Sequence, residues 1–80
     1  MLHAREDYNR IQDPENKIGE DEPVFLLRAK DITAPAIVRQ WAYAQRMNPK
    51  ADIKIIMSAE QWANKMDVWQ KENGSKFADL

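Results

Sequence analysis

With 80 residues, no cysteine and a single histidine, the chain is predicted to be one small domain that has neither disulfides nor a transition-metal site. Domains of this size bury only about 60% of their chain surface, so oligomerisation is the remaining support, and we expect the protein to bind copies of itself. The formal net charge of −1 argues against nucleic-acid binding, which requires a clustered basic surface.

The N-terminal segment, residues 1–22, is predicted to be an arm followed by an acidic loop. Residues 3–12 carry apolar side chains at helical spacing with charges between them, so a short helix or an ordered arm fits equally well. Asp13-Pro14 ends this element, because proline disfavours a helix at the residue before it. The polar and charged residues that follow, as far as Glu22, are typical of a solvated loop.

A run of large apolar residues from Val24 to Leu27 follows Pro23 and lies between charged segments. Proline is tolerated at the first position of a strand, and an apolar run without alternation indicates burial on both faces. We therefore predict a short central strand over residues 23–31. A helix that begins at Asp21 is the alternative. A lone strand has two unpaired edges, which favours pairing with its own copy across a twofold axis.

Two longer amphipathic helices are predicted in the second half of the chain. Thr33 suits an N-cap, and apolar residues at the 3.6-residue period predict a helix over residues 33–47. Asn48-Pro49 ends this helix and provides a cap and a first residue for the next one, over residues 49–72. These elements predict an α+β, mainly helical fold that is completed by oligomerisation.

The second helix leaves one alternative open. Ser58 begins a capping-box pattern, so residues 53–57 are either the start of one long helix or a second strand. Asn73-Gly74 provides the C-cap of the helix. Residues 73–80 are predicted to form a flexible tail.

No residue pattern in the chain indicates catalysis. There is no cysteine nucleophile, and two glycines cannot build a phosphate-binding loop or a dinucleotide fingerprint. We therefore expect no enzymatic activity, no metal and no cofactor. No apolar run approaches the ~18 residues of a membrane span, and residues 1–7 lack the apolar segment of a signal peptide, so we expect a cytoplasmic protein that does not bind membranes.

Six polar residues form a candidate ligand site, which we call the polar cluster. Half of them belong to the N-terminal element and half to the end of the predicted strand, so they converge if the arm packs across the strand. Arginine forks and a tyrosine ring suit an anionic, aromatic small molecule such as a nucleotide. A structural network that attaches the N-terminal arm is the alternative. The residues are Arg5, Tyr8, Arg10, Arg28, Lys30 and Asp31.

Large apolar side chains form a candidate interface. Three tryptophans and their neighbours exceed what two helices can cover, so we predict a core between subunits. The alternative is an exposed groove that captures and occludes a host protein. The candidate interface residues are Phe25, Leu27, Trp41, Trp62, Met66 and Trp69.

Three stretches carry a resemblance to known proteins. They are DYNRIQDP at 7–14, DEPVFLLRAKD at 21–31, and the pairs Ala-Pro, Val-Arg and Trp-Ala within 34–42. They resemble a family of small uncharacterised proteins encoded by tailed bacteriophages and prophages. The resemblance implies a bacterial host cell and a host-takeover or counter-defence role, by sequestering a signal molecule or occluding a host protein. A structural phage protein is a further alternative, and no site residue is implied.

Overall fold

The computed structural model describes residues 2–3 and 13–77. Within that part of the chain, two short strands form one parallel sheet and two helices pack against each other. This arrangement confirms the predicted α+β, mainly helical class. The elements are β1 (Leu2–His3), β2 (Pro23–Val24), α1 (Ala34–Arg46) and α2 (Ile53–Asn73). Neither helix is long and apolar enough to cross a membrane in the residues described.

Helix α1 begins after Thr33, the residue predicted to cap it. The Thr33 side chain makes no capping hydrogen bond to the helix and is held instead by Asp31, whose Oδ1 accepts hydrogen bonds from Thr33 N at 2.9 Å and Thr33 Oγ1 at 2.7 Å. Pro35 fits the first turn because its missing N–H is not needed there. The hydrogen bonds from Thr33, first from its side chain and then from its backbone, hold the pKa of Asp31 below its ordinary value of 3.8.

This lowered pKa predicts a pH dependence. The stability that Asp31 contributes is complete above its unfolded-state pKa and is lost as the pH falls through the lower folded-state value. We therefore expect the stability difference between the wild type and Asp31→Asn to shrink between about pH 5 and pH 2. Chemical denaturation of both proteins across this range measures it. A carboxyl resonance of Asp31 that titrates at or above the ordinary aspartate value would contradict it.

Helix α2 begins at Ile53, so the predicted start at residue 49 is wrong. The Asp52 side chain accepts from Lys54 N at 2.9 Å and caps the helix. Asn48 caps a separate turn, since its Oδ1 accepts from Lys50 N at 3.0 Å. Asparagine and aspartate are both suited to capping a turn or a helix. Asp52 caps α2 because it directly precedes the apolar stripe.

The rest of α2 agrees with the prediction of one long helix rather than a second strand over residues 53–57. Residues 53–57 are helical, and the helix passes Ser58 without a break. It ends at Gly74, which has a φ of 79° and donates its N–H to Gln70 O at 2.7 Å. A positive φ is accessible to glycine without steric strain, which explains the stop at this residue.

The central strand is much shorter than predicted. In the predicted range only Pro23–Val24 is strand; residues 25–28 have no regular secondary structure, residues 29–30 form a turn, and Asp31 forms an isolated parallel bridge with Lys76. Burial on both faces is also wrong, because the Phe25 side chain is 73% exposed. The strand is not alone, since β2 pairs in parallel with β1. The predicted helix or arm over residues 3–12 lies outside the described residues apart from His3, which belongs to β1.

The segment before α1 is fastened to the end of α2, and we call this contact the terminal clasp. Ile32 N donates to Lys76 O at 2.9 Å, and Lys76 N donates to Lys30 O at 3.0 Å. Gln70 Nε2 donates to Ala29 O and to Asp31 O, both at 2.9 Å. The predicted flexible tail is therefore hydrogen-bonded at Lys76, and residues 78–80 lie outside the description.

The terminal clasp provides a stability test. Gln70→Ala removes two partly buried hydrogen bonds, each with a net contribution of about 0.5 to 1.5 kcal/mol, so we expect a loss of about 1 to 3 kcal/mol. Chemical denaturation measures this loss. The control is Gln61→Ala at an exposed position of the same helix, which should remain within about 0.5 kcal/mol of the wild type. Equal effects of the two substitutions would contradict the role of Gln70.

The core lies between α1 and α2 and consists mainly of small side chains. Alanines at the contact allow the two helix backbones to approach closely, and no large side chain among the described residues is fully buried. The apolar core residues are Ala34, Ala42, Ile56, Ala63 and Met66. Many large apolar side chains are consequently left at the surface of the described chain.

Candidate functional site

The polar cluster is described only in part. Arg5, Tyr8 and Arg10 lie outside the described residues, so their positions are not known. The strands nevertheless relate the two halves of the cluster. Leu2 is in register with Pro23 and His3 with Val24, and the two strands run parallel. In the sequence, β1 comes shortly before the N-terminal members of the cluster, and β2 comes shortly before the strand-end members.

The described members of the polar cluster differ in their contacts. Arg28 is exposed. Lys30 Nζ donates to Asn73 O at 3.4 Å and lies 5.9 Å from the centroid of the Trp69 ring. Asp31 Oδ1 accepts hydrogen bonds from the backbone and the hydroxyl of Thr33. Arg28 and Lys30 are the described cations of the polar cluster, whereas Asp31 has a structural role.

The acidic loop between residues 13 and 22 is held by its own side chains. Asp13 Oδ1 accepts from Lys17 N at 3.0 Å, and Asp13 Oδ2 accepts from Ile18 N at 2.9 Å. Glu22 Oε1 accepts from Gly19 N at 3.2 Å, while Glu22 N donates to Gly19 O at 3.1 Å. In the described residues no three acidic or histidine side chains are arranged to hold a metal ion.

A second candidate site is an open groove of about 420 Å³ between α1 and α2, which we call the tryptophan groove. Its walls are mostly apolar, and Trp62 at its edge is 56% exposed. Lysines lie at one side: Lys54 lines the groove, and Lys65 Nζ lies 4.4 Å from the centroid of the Trp62 ring. The lining residues are Val38, Trp41, Lys54, Ile55, Ser58, Ala59 and Trp62.

Ion pairs between the helices lie away from the tryptophan groove. Arg46 binds Glu60 through two hydrogen bonds, at 2.6 Å and 3.2 Å. This contact lowers the pKa of Glu60, chiefly through the direct hydrogen bond. Arg39 binds Asp67, and its Nη2 donates to Asn64 Oδ1 at 2.9 Å. The charges on this side are therefore paired with one another, which leaves the groove side as the apolar surface of the helix pair.

The candidate interface residues are found in different environments. Met66 lies in the core between the helices, whereas Trp41, Trp62 and Trp69 are about half exposed. Phe25 is more exposed than any of them, and Leu27 is intermediate. The tryptophans are thus at the surface, as an interface requires, while Met66 is used within the chain.

Lys54, Ile55 and Lys65 lie at the groove but are not among the candidate site residues predicted from the sequence. Ile55 does not fit the spacing of the stripe that faces α1, so periodicity does not indicate its position at the flank of that stripe. Lys65 follows Trp62 by three residues, a spacing that places the two side chains together on a helix. Lys54 has no comparable sequence feature. The packing of the two helices decides that these residues share one surface.

No protein-family model, curated protein or solved structure matches this chain significantly.

Proposed function

We propose that this chain is a non-enzymatic binding protein that captures a nucleotide-like anionic small molecule at the polar cluster. The parallel pairing of β1 with β2 is the observation that supports the proposal. Leu2 and His3, which precede the N-terminal members of the cluster in the sequence, pair with Pro23 and Val24, which precede its strand-end members.

The chemistry of the cluster suits a phosphate-bearing ligand. Guanidinium groups bind phosphate oxygens through paired, charge-assisted hydrogen bonds, and a lysine adds a point charge. Arg28 is exposed at the end of the segment that follows β2, and Lys30 is two residues further along. An aromatic ring such as that of Tyr8 can stack on a base or on a second arginine. These groups together would bind both the phosphate and the aromatic part of a nucleotide.

The proposed role needs binding alone. A protein that sequesters a signal molecule in the cytoplasm of a bacterial host acts by lowering the free concentration of that molecule. Such a role requires no nucleophile, no metal and no acid-base pair, which agrees with the residue types available in the chain. The resemblance to small phage proteins supports counter-defence as the setting, by analogy.

A nucleotide panel tests the proposal. We expect native mass spectrometry of the purified protein to detect an adduct with a cyclic or linear nucleotide, either retained from the host or acquired from the panel. The same nucleotide should stabilise the protein by about 2.7 kcal/mol at a hundredfold excess over its dissociation constant. Thermal unfolding measures this stabilisation. The absence of any adduct and of any shift would overturn the proposal.

Arginine variants then separate ligand binding from a structural role. Arg10→Ala and Arg28→Ala should each weaken nucleotide binding at least tenfold and leave the fold intact, because the guanidinium groups contact the ligand. The control is Lys50→Ala, which removes an exposed cation from the turn before α2. Circular dichroism monitors the fold. Unfolding of both arginine variants without ligand would instead indicate the structural network.

A further inference from the structure

We propose that the tryptophan groove binds residues 20–26 of a second copy of this chain. Each copy inserts its segment into the groove of the other, which produces a closed dimer with twofold symmetry and two equal contacts. We call residues 20–26 the acidic-apolar segment, because three acidic residues and a proline precede Val24, Phe25 and Leu26. This inference concerns a different surface from the polar cluster and does not depend on nucleotide binding.

The groove is an apolar surface that the described residues of its own chain leave uncovered. Trp41, Ile55 and Trp62 are each about half exposed around it. A pair of helices must cover its apolar side with another layer, because exposed aromatic surface in water is unfavourable. The ion-paired side of the helix pair does not need such a layer, because its charged side chains are paired with one another.

The acidic-apolar segment is a suitable occupant because its apolar side chains are exposed. Phe25 is largely exposed and Leu26 is 39% exposed. The stretch that contains both residues is held on either side: Val24 pairs with β1, and Asp31 belongs to the terminal clasp. Because the chain is held on either side of it, Phe25 has a fixed position at the surface, which reduces the entropy lost on binding. Phe25 does not fill the groove of its own chain in this structure.

Charge complementarity selects this segment as the occupant. Lys54 lines the groove, and Lys65 lies over Trp62 at the same side. The acidic residues at positions 20–22 immediately precede the apolar run, so they can lie beside these lysines when Phe25 enters the groove. A dimer formed by stacking two tryptophan grooves would leave Phe25 exposed and would leave the lysines without an acidic partner. One contact between groove and segment accounts for both exposed surfaces.

The size of the interface sets the expected affinity. The two contacts cover six partly exposed aromatic side chains, with roughly 100 Å² buried for each, about half of a fully buried ring. The flanking aliphatic side chains add to this area. The sum is below the roughly 1,200 Å² of a standard specific interface, so we expect a weak dimer with a dissociation constant no lower than the micromolar range.

Light scattering and analytical ultracentrifugation of the full chain over a range of concentrations test the dimer. We expect a species of twice the 9.4 kDa chain mass at micromolar concentration. Phe25→Asp should raise the dissociation constant at least thirtyfold, because each contact loses its central aromatic ring. Phe77→Asp is the matched control, since Phe77 is 77% exposed but lies outside the acidic-apolar segment and the groove. Circular dichroism should show that both variants remain folded.

A mixing experiment tests the reciprocal arrangement. Trp62→Ala should dissociate the dimer as Phe25→Asp does. Mixing the two variants should restore a weaker heterodimer, because the groove of the Phe25→Asp chain remains intact and accepts the segment of the Trp62→Ala chain.

Three results would overturn the proposal: a wild-type chain that stays monomeric at all concentrations, a dimer that survives Phe25→Asp, or a mixture in which no heterodimer forms. A dimer that depends on Trp62 but not on Phe25 would indicate stacking of the two grooves instead. A larger assembly that does not close at two copies would also contradict the reciprocal contact. None of these results depends on the outcome of the nucleotide panel, so the two proposals fail separately.

Discussion

Replacing Ala42 with aspartate is expected to destroy the folded state. The Ala42 side chain is 0% exposed at the contact between α1 and α2, and no charged side chain is buried in the described part of the chain. A buried charge without a partner costs several kcal/mol, and the whole domain is stable by only about 5 to 15 kcal/mol. Circular dichroism of the variant should therefore show much less helix and no cooperative thermal transition.

The control for this prediction is Ala44→Asp, two residues further along the same helix. Ala44 is exposed, so aspartate there changes helix propensity and charge in the same way without being buried. We expect this variant to remain folded and to lose no more than about 1 kcal/mol, since aspartate is slightly unfavourable near a helix C-terminus. If the two variants are equally stable, α1 does not pack against α2 through Ala42.

Replacing Met66 with alanine should have the next largest effect. Met66 is 9% exposed and, among the described residues, is one of two large apolar side chains in the core between the helices, the other being Ile56. Truncating a buried methionine to alanine typically costs about 2 to 5 kcal/mol, because it removes apolar contacts and leaves a cavity. Urea denaturation of the wild type and the variant measures the difference.

Met57→Ala is the matched control on the same helix. Met57 is 50% exposed, so its truncation removes little buried surface and should change the stability by less than about 1 kcal/mol. A smaller effect of Met66→Ala than of Met57→Ala would show that the stripe of α2 facing α1 is misassigned. The pair also tests whether Met66 belongs to the chain's own core or to an interface. In the first case its effect on stability is independent of protein concentration.

The helices were the most predictable part of the fold. Thr33 precedes an apolar pattern with a 3.6-residue period, and α1 begins at the following residue. The end of α2 at Gly74 was predictable for a similar local reason, since glycine accepts the positive φ that stops a helix. The start of α2 was not, because Asn48 and Asp52 are both good caps and local sequence does not choose between them.

The segment after Pro23 was harder to predict because its burial depends on distant residues. An apolar run indicates a buried strand only if other elements lie on both of its faces. Here Phe25 is 73% exposed, and the pairing of β2 is with Leu2–His3, 21 residues earlier. Sequence periodicity does not encode such a long-range pairing, because the pairing depends on contacts between residues far apart in the chain.

The sequence by itself determined the mainly helical class, the approximate place of both helices and the glycine that stops α2, because propensity and periodicity act over a few neighbouring residues. It also determined which residue types are available for binding. Only the tertiary structure decided that Met66 faces α1 while Trp62 lies at the surface, that Lys54 and Lys65 flank one groove, and that the Asp31 carboxylate accepts from Thr33. These outcomes depend on how α1, α2 and the terminal clasp pack, and packing is decided by contacts between residues far apart in the chain.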